Sequence, residues 1–200
     1  MIRELVQRNR SYRRFYEEVR IERETLRELV DLARLSASGG NRQPLKYYLS
    51  AESPTNEKIF RTLTWAVYLK DWRGPAEGER PAAYIIVLGD TKIVTTFGCD
   101  HGIACQSILL GAVERGLGGC IVGSIKRDEL RSALNIPEHL EILLAIALGK
   151  PKDVVILEPL GPEGDIRYWR DEDGVHHVPK RSLEELVVGT LKGEASSHGE

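Results

Sequence analysis

Two short, almost uninterrupted apolar runs constrain the fold of this chain more than any other feature. Residues 82–89 read Ala-Ala-Tyr-Ile-Ile-Val-Leu-Gly, and residues 141–149 read Glu-Ile-Leu-Leu-Ala-Ile-Ala-Leu-Gly. A strand that is covered on both faces has no exposed positions for alternating polar residues, so each run is typical of a strand inside a sheet. We therefore predict a buried central sheet.

A third apolar segment, residues 100–116, has the spacing of a helix. Its apolar side chains cover much more than one face, and a helix of this kind is buried in a core or in an interface. We predict that it is the core helix and that it also contributes to a dimer. Further helices are predicted over 1–9, 22–38, 53–63 and 127–134, and further strands over 46–51 and 116–123.

The composition is that of an ordinary soluble domain. With 42% hydrophobic and 29% charged residues in 200, we expect a single domain over 1–192 and a frayed tail over 193–200. The net charge of −2 gives no overall positive field for nucleic acid. There is neither a signal peptide nor an apolar segment of membrane length, and Cys99, Cys105 and Cys120 are interpreted as small core residues. A cytoplasmic protein is therefore expected.

Arginine is concentrated in the segment Arg8-Asn9-Arg10-Ser11-Tyr12-Arg13-Arg14-Phe15. A guanidinium group presents donors that match phosphate oxygens two at a time, and a Ser hydroxyl adds another. We interpret this segment as a phosphate-binding site. A solvated basic face is the ordinary alternative. An RNA-binding arm is disfavoured by the pI near 6.3.

A second basic pair, Lys180-Arg181, lies directly before Ser182-Leu183-Glu184-Glu185, which has the pattern of a capping box. A helix that begins at Ser182 would present free backbone N–H groups to an anion. If this end meets residues 10–13, the phosphate is held from both ends of the chain. The alternative is an ordinary capped surface helix.

The predicted helix over 22–38 ends in Ser38-Gly39-Gly40-Asn41. The glycines stop the helix and permit positive φ, and Pro44 is expected to keep Gln43 extended, so that Asn41 and Gln43 lie in a fixed loop. A second glycine-rich segment, residues 116–123, has two interpretations. It either lets a flat ring approach the backbone or forms a helix C-cap followed by a tight strand entry.

Residues 64–81 have weak periodicity and contain Trp65, Tyr68 and Trp72. These aromatic residues are candidates for a lid over a substrate, since long irregular segments are often functional. The equally weighted alternative is that the tryptophans cover the hydrophobic core from outside.

The C-terminal part contains a predicted hairpin. Residues 168–170 and 175–178 flank Asp171-Glu172-Asp173-Gly174, which has turn chemistry. His176 and His177 would point to opposite faces of a strand and could not chelate a metal together. No metal site is expected around Cys99, His101 and Cys105 either, because they lack a zinc-binding spacing.

Four segments, in this order, resemble the motifs of the nitroreductase family. They are Arg10-Ser11-Tyr12-Arg13-Arg14-Phe15 for the RS-x-R-x-F phosphate motif; residues 36–44 (Ser-Ala-Ser-Gly-Gly-Asn-Arg-Gln-Pro) for the PS-x-x-N-x-QP loop; residues 116–121 after the central helix; and Pro179-Lys180-Arg181. The resemblance covers nearly the whole chain. The chain departs from the family at Ala37, where proline is usual, and at Leu45, where tryptophan often follows QP.

The resemblance implies an α+β fold, with three α-β-α layers around a central mixed, mainly antiparallel sheet and FMN at a homodimer interface. Because many relatives have arginine where Asn9 stands, Arg8 is expected to substitute for it. Three groups of residues are assigned to FMN: Arg8, Arg10, Ser11, Arg13, Lys180 and Arg181 to the phosphate; Ser38, Asn41 and Gln43 to the ribityl chain and ring edge; and Cys120, Ile121, Val122 and Gly123 to the back of the ring.

The resemblance also implies an activity. FMN would accept hydride at N5 from NAD(P)H and pass electrons to a small electron-poor acceptor, such as a nitroaromatic or a quinone, in a ping-pong cycle that requires no catalytic side chain. The alternative is a flavin-binding store or redox sensor without turnover. Neither a nucleic acid nor a membrane is an expected partner.

Overall fold

The computed structural model describes residues 1–69 and 71–190. The chain divides into two compact units, Met1–Val154 and a second unit that begins at Val155, and each is described here by itself. The prediction of a frayed tail over 193–200 lies outside the described residues, and the single domain over 1–192 stays a prediction. Within the described residues, no helix combines the length and the apolarity needed to cross a membrane.

A five-stranded sheet forms the centre of the first unit. Its strands are β1 (Phe15–Tyr16), β2 (Leu45–Ser50), β3 (Ala83–Asp90), β4 (Gly118–Val122) and β5 (Leu140–Pro151). The long β5 pairs with β1, β3 and β4, and β3 pairs with β2, all antiparallel. One isolated parallel bridge joins Ser11 to Gly119. The two apolar runs therefore form strands of the central sheet, as predicted, and these strands, β3 and β5, are adjacent.

Helices cover both faces of this sheet. They are α2 (Arg23–Arg34), α3 (Ser53–Phe60), α4 (Asp100–Glu114) and α5 (Arg127–Leu134), whereas α1 (Ile2–Arg8) has no buried residue and lies beside α4. Successive side chains of β3 enter two separate cores. Ile85 and Val87 pack in a core with residues of α2 and α4, whereas Ile86 and Leu88 pack in one with residues of α3 and α5. The predicted three-layer α-β-α arrangement is thus confirmed in this unit.

Helix α2 ends at Arg34, four residues before its predicted end. Beyond it, the Ser36 hydroxyl lies 2.8 Å from the carbonyl oxygen of Leu32 and 2.7 Å from the hydroxyl of Ser107 on α4. These side-chain contacts replace the last helical turn. The following residues are therefore free to form a loop beside the start of α4.

The expectation that all three cysteines are core residues is wrong for Cys99. Cys105 and Cys120 are buried, as expected for core residues, but Cys99 is exposed. Cys99 lies directly before α4, in the connection that precedes the helix, and therefore outside the apolar face that buries Cys105.

The second unit contains a smaller sheet of β6 (Val155–Pro159), β7 (Trp169–Arg170) and β8 (His176–Lys180), followed by the short helix α6 (Leu183–Leu186). The predicted hairpin is present as the antiparallel pair β7 and β8. His176 is buried beside the ring of Tyr168, whereas the ring of His177 stacks on Trp169 with 4.0 Å between centroids. The two histidines thus face opposite sides, as predicted. Strand β6, which pairs in parallel with β8, was not predicted.

Candidate functional site

The arginine-rich residues 10–14, called here the phosphate segment, run beside the glycine-rich strand β4. The backbone N–H of Tyr12 donates to the carbonyl oxygen of Gly119 at 3.1 Å, and Ser11 forms the parallel bridge to the same residue. Two of the four motif segments, about a hundred residues apart in sequence, are therefore adjacent in the structure.

A buried carboxylate fixes the second half of the phosphate segment. One oxygen of Asp153 accepts the backbone N–H groups of Arg13, at 2.7 Å, and of Arg14, at 2.9 Å. The other oxygen accepts Nε of Arg14 at 2.7 Å. The Asp153 side chain is only 2% exposed. Asp153 belongs to none of the four motifs, and no pattern in the sequence distinguishes it from other aspartates.

Arg10 offers a donor to a ligand. Its Nε is buried and has no hydrogen-bond partner among the residues that the structure describes, while one of its Nη atoms donates to the carbonyl oxygen of Val6 at 2.6 Å. Burial is the main cause that lowers the pKa of Arg10 below its ordinary 12.5. A desolvated cation with an unused donor fits an anion rich in oxygen, such as a phosphate.

The remaining residues near the start of the segment are more exposed. Arg8 lies on α1 with a side chain that is 54% exposed, and it pairs with Glu4 at 3.7 Å. The side-chain amide of Asn9 donates to Gln106 of α4 at 3.4 Å. Neither contact tests the role predicted for Arg8 in binding the phosphate, which stays a prediction.

Strand β4 places Cys120 under the phosphate segment. Burial raises the pKa of the Cys120 thiol, and the neighbouring Arg13 and Ser11 act in the opposite direction, which places both of them near the sulfur. Along the strand, Cys120 and Val122 are buried whereas Ile121 is 39% exposed. Ile121 and Gly123 are therefore the exposed residues of this predicted ring-backing group.

The glycines of β4 are explained by contacts within the protein. A Cβ at Gly118 would lie 2.5 Å from the Tyr12 ring, and a Cβ at Gly119 would lie 2.5 Å from the carbonyl oxygen of Ala147. Gly116 has φ of 70° just after α4. These three positions match the alternative interpretation, a helix C-cap and a tight strand entry, and they do not require a bound ring.

A second buried aspartate holds residues 38–43, called here the Ser38 loop. The Ser38 hydroxyl donates to one oxygen of Asp100 at 2.6 Å, and the backbone N–H of Gly39 donates to the other at 2.9 Å. The backbone N–H of Gln43 in turn donates to the Ser38 hydroxyl at 2.9 Å. Asp100 opens α4, so this helix, predicted as core, also anchors the loop.

The backbone of the Ser38 loop is left-handed at three positions: φ is 58° at Gly40, 54° at Asn41 and 50° at Gln43. The prediction that Pro44 keeps Gln43 extended is therefore wrong. The hydrogen bond from Gln43 N–H to Ser38, together with the bond of 3.1 Å from Gln43 Nε2 to Asn41 Oδ1, outweighs the local preference of a residue before proline.

Two cavities lie at opposite ends of β2. One, of about 230 Å³, is lined by Ser38, Gln43, Tyr47 and Asp100 among others, and burial raises the pKa of Tyr47 to about 12. The other, of about 620 Å³, is lined by residues 17–20, 51–60 and 80–84 in part and includes none of the predicted site residues. Cavity size alone therefore does not locate the predicted flavin site.

The predicted phosphate ligands Lys180 and Arg181 belong to the second unit. Ser182 is the N-cap of α6, and its hydroxyl accepts the backbone N–H of Glu185 at 3.1 Å, so the predicted cap is confirmed. The Glu185 side chain pairs with Arg181 and does not complete a capping box. The joint phosphate site with residues 10–13 stays a prediction.

The aromatic candidates for a lid differ in burial. Trp65 is 6% exposed and lies in the core that also contains residues of α3 and α5. Trp72 is partly buried against the same core, whereas Tyr68 is 45% exposed. Trp65 thus covers the core, as the alternative interpretation expected, and a lid of Tyr68 and Trp72 stays a prediction.

The chain is similar in sequence to known proteins. A sequence model described as the Nitroreductase family matches residues 6–150. A protein of Archaeoglobus fulgidus, whose name refers to NADH dehydrogenase and NAD(P)H nitroreductase, is 28% identical over 148 residues, which are 70% of this chain and 80% of that protein. A Vibrio harveyi protein named NADPH-flavin oxidoreductase is 25% identical over 130 residues, so that the chain spans only 54% of its length, with 54% of this chain covered.

The fold is shared with solved structures. The solved structure of an FMN-dependent nitroreductase from Clostridium difficile R20291 aligns with a TM-score of 0.59 at 21% identity, covering 76% of this chain and 88% of that chain. The likeness at this identity concerns the fold alone. The family match over residues 6–150, however, includes both the phosphate segment and the Ser38 loop. On this evidence the chain belongs to the nitroreductase family and is an oxidoreductase.

Proposed function

We propose that this chain, a nitroreductase-family oxidoreductase with FMN as cofactor and NAD(P)H as reductant, transfers electrons to a small electron-poor acceptor such as a nitroaromatic or a quinone. The observation that carries the proposal is the buried Nε donor of Arg10, which no described residue accepts, in a segment whose backbone is bonded to Gly119 and to Asp153. When bound, FMN supplies hydride acceptance at N5 and release of electrons to a second molecule at the same place, a ping-pong cycle.

The phosphate segment would bind the charged end of the cofactor. Arg10 and Arg13 supply cationic donors, and Ser11 lies between them on the bridge to β4. Charge-assisted hydrogen bonds to phosphate are about twice as strong as neutral ones. Arg8, Lys180 and Arg181 are proposed as additional phosphate ligands.

The Ser38 loop would bind the uncharged parts of the cofactor. Ser38 and Gln43 line the 230 Å³ cavity, and Asn41 lies between them in a backbone held by Asp100. Fixed amide and hydroxyl dipoles suit the ribityl hydroxyls and the polar ring edge, because they need no reorganisation on binding. The segment from Cys120 to Gly123 is proposed to back the ring, with a backbone N–H near the flavin N5.

We propose no acid or base among the side chains. The protein binds and orients the cofactor, and the assembly is proposed to be a homodimer in which α4 contributes to the interface. Ile103 on α4 is 36% exposed, which supports an outward-facing apolar position on an otherwise buried helix. Sedimentation at micromolar concentration tests this, since a monomer would contradict it.

The first experiment is the visible absorption spectrum of the freshly purified protein, followed by heat release and mass identification of any yellow cofactor. Stoichiometric FMN is expected. A colourless protein that also fails to bind added FMN would overturn the proposal. Steady-state oxidation of NADH and NADPH with a quinone then separates an enzyme from a flavin store or redox sensor, which would bind FMN without turnover.

A further inference from the structure

We propose that Asp153 is a positioning residue that orients Arg13 toward the phosphate of FMN, an inference that rests on the proposed function. Asp153 lies outside the four motif segments, yet its almost fully buried carboxylate binds the backbone of the predicted phosphate ligand. Its Oδ2 accepts two consecutive backbone N–H groups, those of Arg13 and Arg14.

Two consecutive N–H groups on one oxygen fix the orientation of both peptide planes around Arg13. On the other side, the N–H of Tyr12 is bonded to Gly119 of β4, so the backbone is held immediately before and after Arg13. The direction in which the Arg13 side chain leaves the backbone is thus set by contacts to β4 and to Asp153. Such preorganisation reduces the entropy that ligand binding costs.

The charge of Asp153 distinguishes positioning from a simple electrostatic role, because the two roles predict opposite changes in FMN binding when the charge is removed. A carboxylate close to an anion site repels the anion, so loss of its charge alone would tighten FMN binding. Arg14 compensates this charge through its Nε bond of 2.7 Å to Oδ1. If Asp153 acts by positioning, the substitution Asp153→Asn weakens FMN binding instead. In either orientation of the Asn side chain, its NH₂ group faces an N–H donor, either the backbone of Arg13 and Arg14 or Nε of Arg14.

The test compares FMN with riboflavin, which lacks the phosphate, in titrations of the flavin-free protein. Asp153→Asn is expected to weaken FMN binding about tenfold or more and to leave riboflavin binding unchanged. In an Arg13→Ala background, Asp153→Asn is expected to change FMN binding by less than about twofold, since residues that act together are not additive. Asp31→Asn, on an exposed carboxylate of α2, is the matched control.

The outcomes separate this inference from the proposed function. If Arg13→Ala does not weaken FMN binding, the phosphate site itself is wrong. If Arg13→Ala does so but Asp153→Asn leaves FMN unchanged, tightens it, or weakens riboflavin equally, the positioning role is overturned. Should Asp153→Asn not fold, Asp153→Glu, which keeps the charge and shifts the carboxylate, gives the same comparison. Failure of both to fold would assign Asp153 to the fold alone and overturn the proposal.

Discussion

Two segments of this protein are anchored in the same way and differ in what they offer a ligand. The phosphate segment is held by Asp153 and the Ser38 loop by Asp100, each a buried carboxylate from a distant part of the chain. Asp153 accepts backbone N–H groups and a guanidinium, in a segment without left-handed residues at 10–14. Asp100 accepts a hydroxyl and one N–H, in a loop with three left-handed residues. The first segment thus offers guanidinium groups on a backbone without left-handed residues, whereas the second offers the amides of Asn41 and Gln43, beside Arg42, on a backbone with three left-handed residues.

The largest effect is expected from Asp100→Ala. The substitution removes two charge-assisted hydrogen bonds from a buried site, and we expect the free energy of unfolding to fall by about 3 kcal/mol. FMN and riboflavin binding should weaken by equal factors, because the Ser38 loop is proposed to contact the uncharged parts of the cofactor. Urea unfolding and flavin titration measure the two effects, with Asp31→Ala as control. An effect on FMN alone would remove the difference between the two segments.

A smaller effect, confined to the ligand, is expected from Arg10→Ala. Loss of a charge-assisted contact to the phosphate should weaken FMN binding roughly 30-fold, equivalent to about 2 kcal/mol, with little change in the urea midpoint. Riboflavin binding should not change. The control is Arg27→Ala, whose exposed side chain pairs with Glu24 on α2. Equal losses for FMN and riboflavin would show that Arg10 supports the fold of the segment and not the phosphate.

The sheet could be predicted from sequence because a strand that is buried on both faces is a continuous apolar run. The apolar runs gave β3 and β5, and α5 was predicted with the bounds that the structure has, Arg127–Leu134. The motif spacings also indicated the phosphate segment and the Ser38 loop. Each of these features is encoded within a short stretch of sequence. The strands and the helix follow from the pattern of apolar residues, and the two segments follow from their motifs.

The two anchoring aspartates could not be predicted, because their partners are far away in sequence. Asp153 binds residues 139 and 140 positions earlier, and Asp100 binds residues 61 and 62 positions earlier. Nothing in the neighbouring residues encodes such pairing. The wrong prediction for Gln43 has a local cause instead, because the effect of Pro44 was assessed without the hydrogen bonds from Gln43 to Ser38 and Asn41.

The left-handed backbone of the Ser38 loop predicts that a substitution of Gly40 lowers the free energy of unfolding by about 1 kcal/mol. Gly40 has φ of 58°, and a Cβ at this position would make only an ordinary contact with the Arg42 side chain, 3.6 Å away. Gly40→Ala should therefore destabilise through the left-handed backbone alone, by about 1 kcal/mol, or roughly 3 °C in Tm. In the control Gly161→Ala, φ lies outside the left-handed range and no atom is within 4 Å, so Tm should hardly change. Equal Tm values for the two variants would contradict the contrast in strain.

The smallest effect concerns the second unit, where carboxylates pair with a group that titrates near neutral pH. His177 lies between Asp171, 3.0 Å from Nε2, and Glu158, 2.5 Å from Nδ1. Asp171, and next Glu158, raise the pKa of His177 above 6.5, and His177 lowers the pKa of Asp171 below 3.8. The stabilisation from His177 is therefore complete below pH 6.5 and is lost as the pH rises through its raised pKa.

The contribution of Asp171 has the opposite sign: it is complete above pH 3.8 and is lost as the pH falls through its lowered pKa. Both are present together between about pH 4 and 6.5. In the first unit, Asp100 and Asp153 accept from backbone N–H groups, a hydroxyl and a guanidinium. NMR titration of the His177 ring should give a pKa above 6.5 that moves toward 6.5 in Asp171→Asn. A wild-type value at or below 6.5 would mean that the carboxylates do not hold the imidazolium, and the contrast between the two units would disappear.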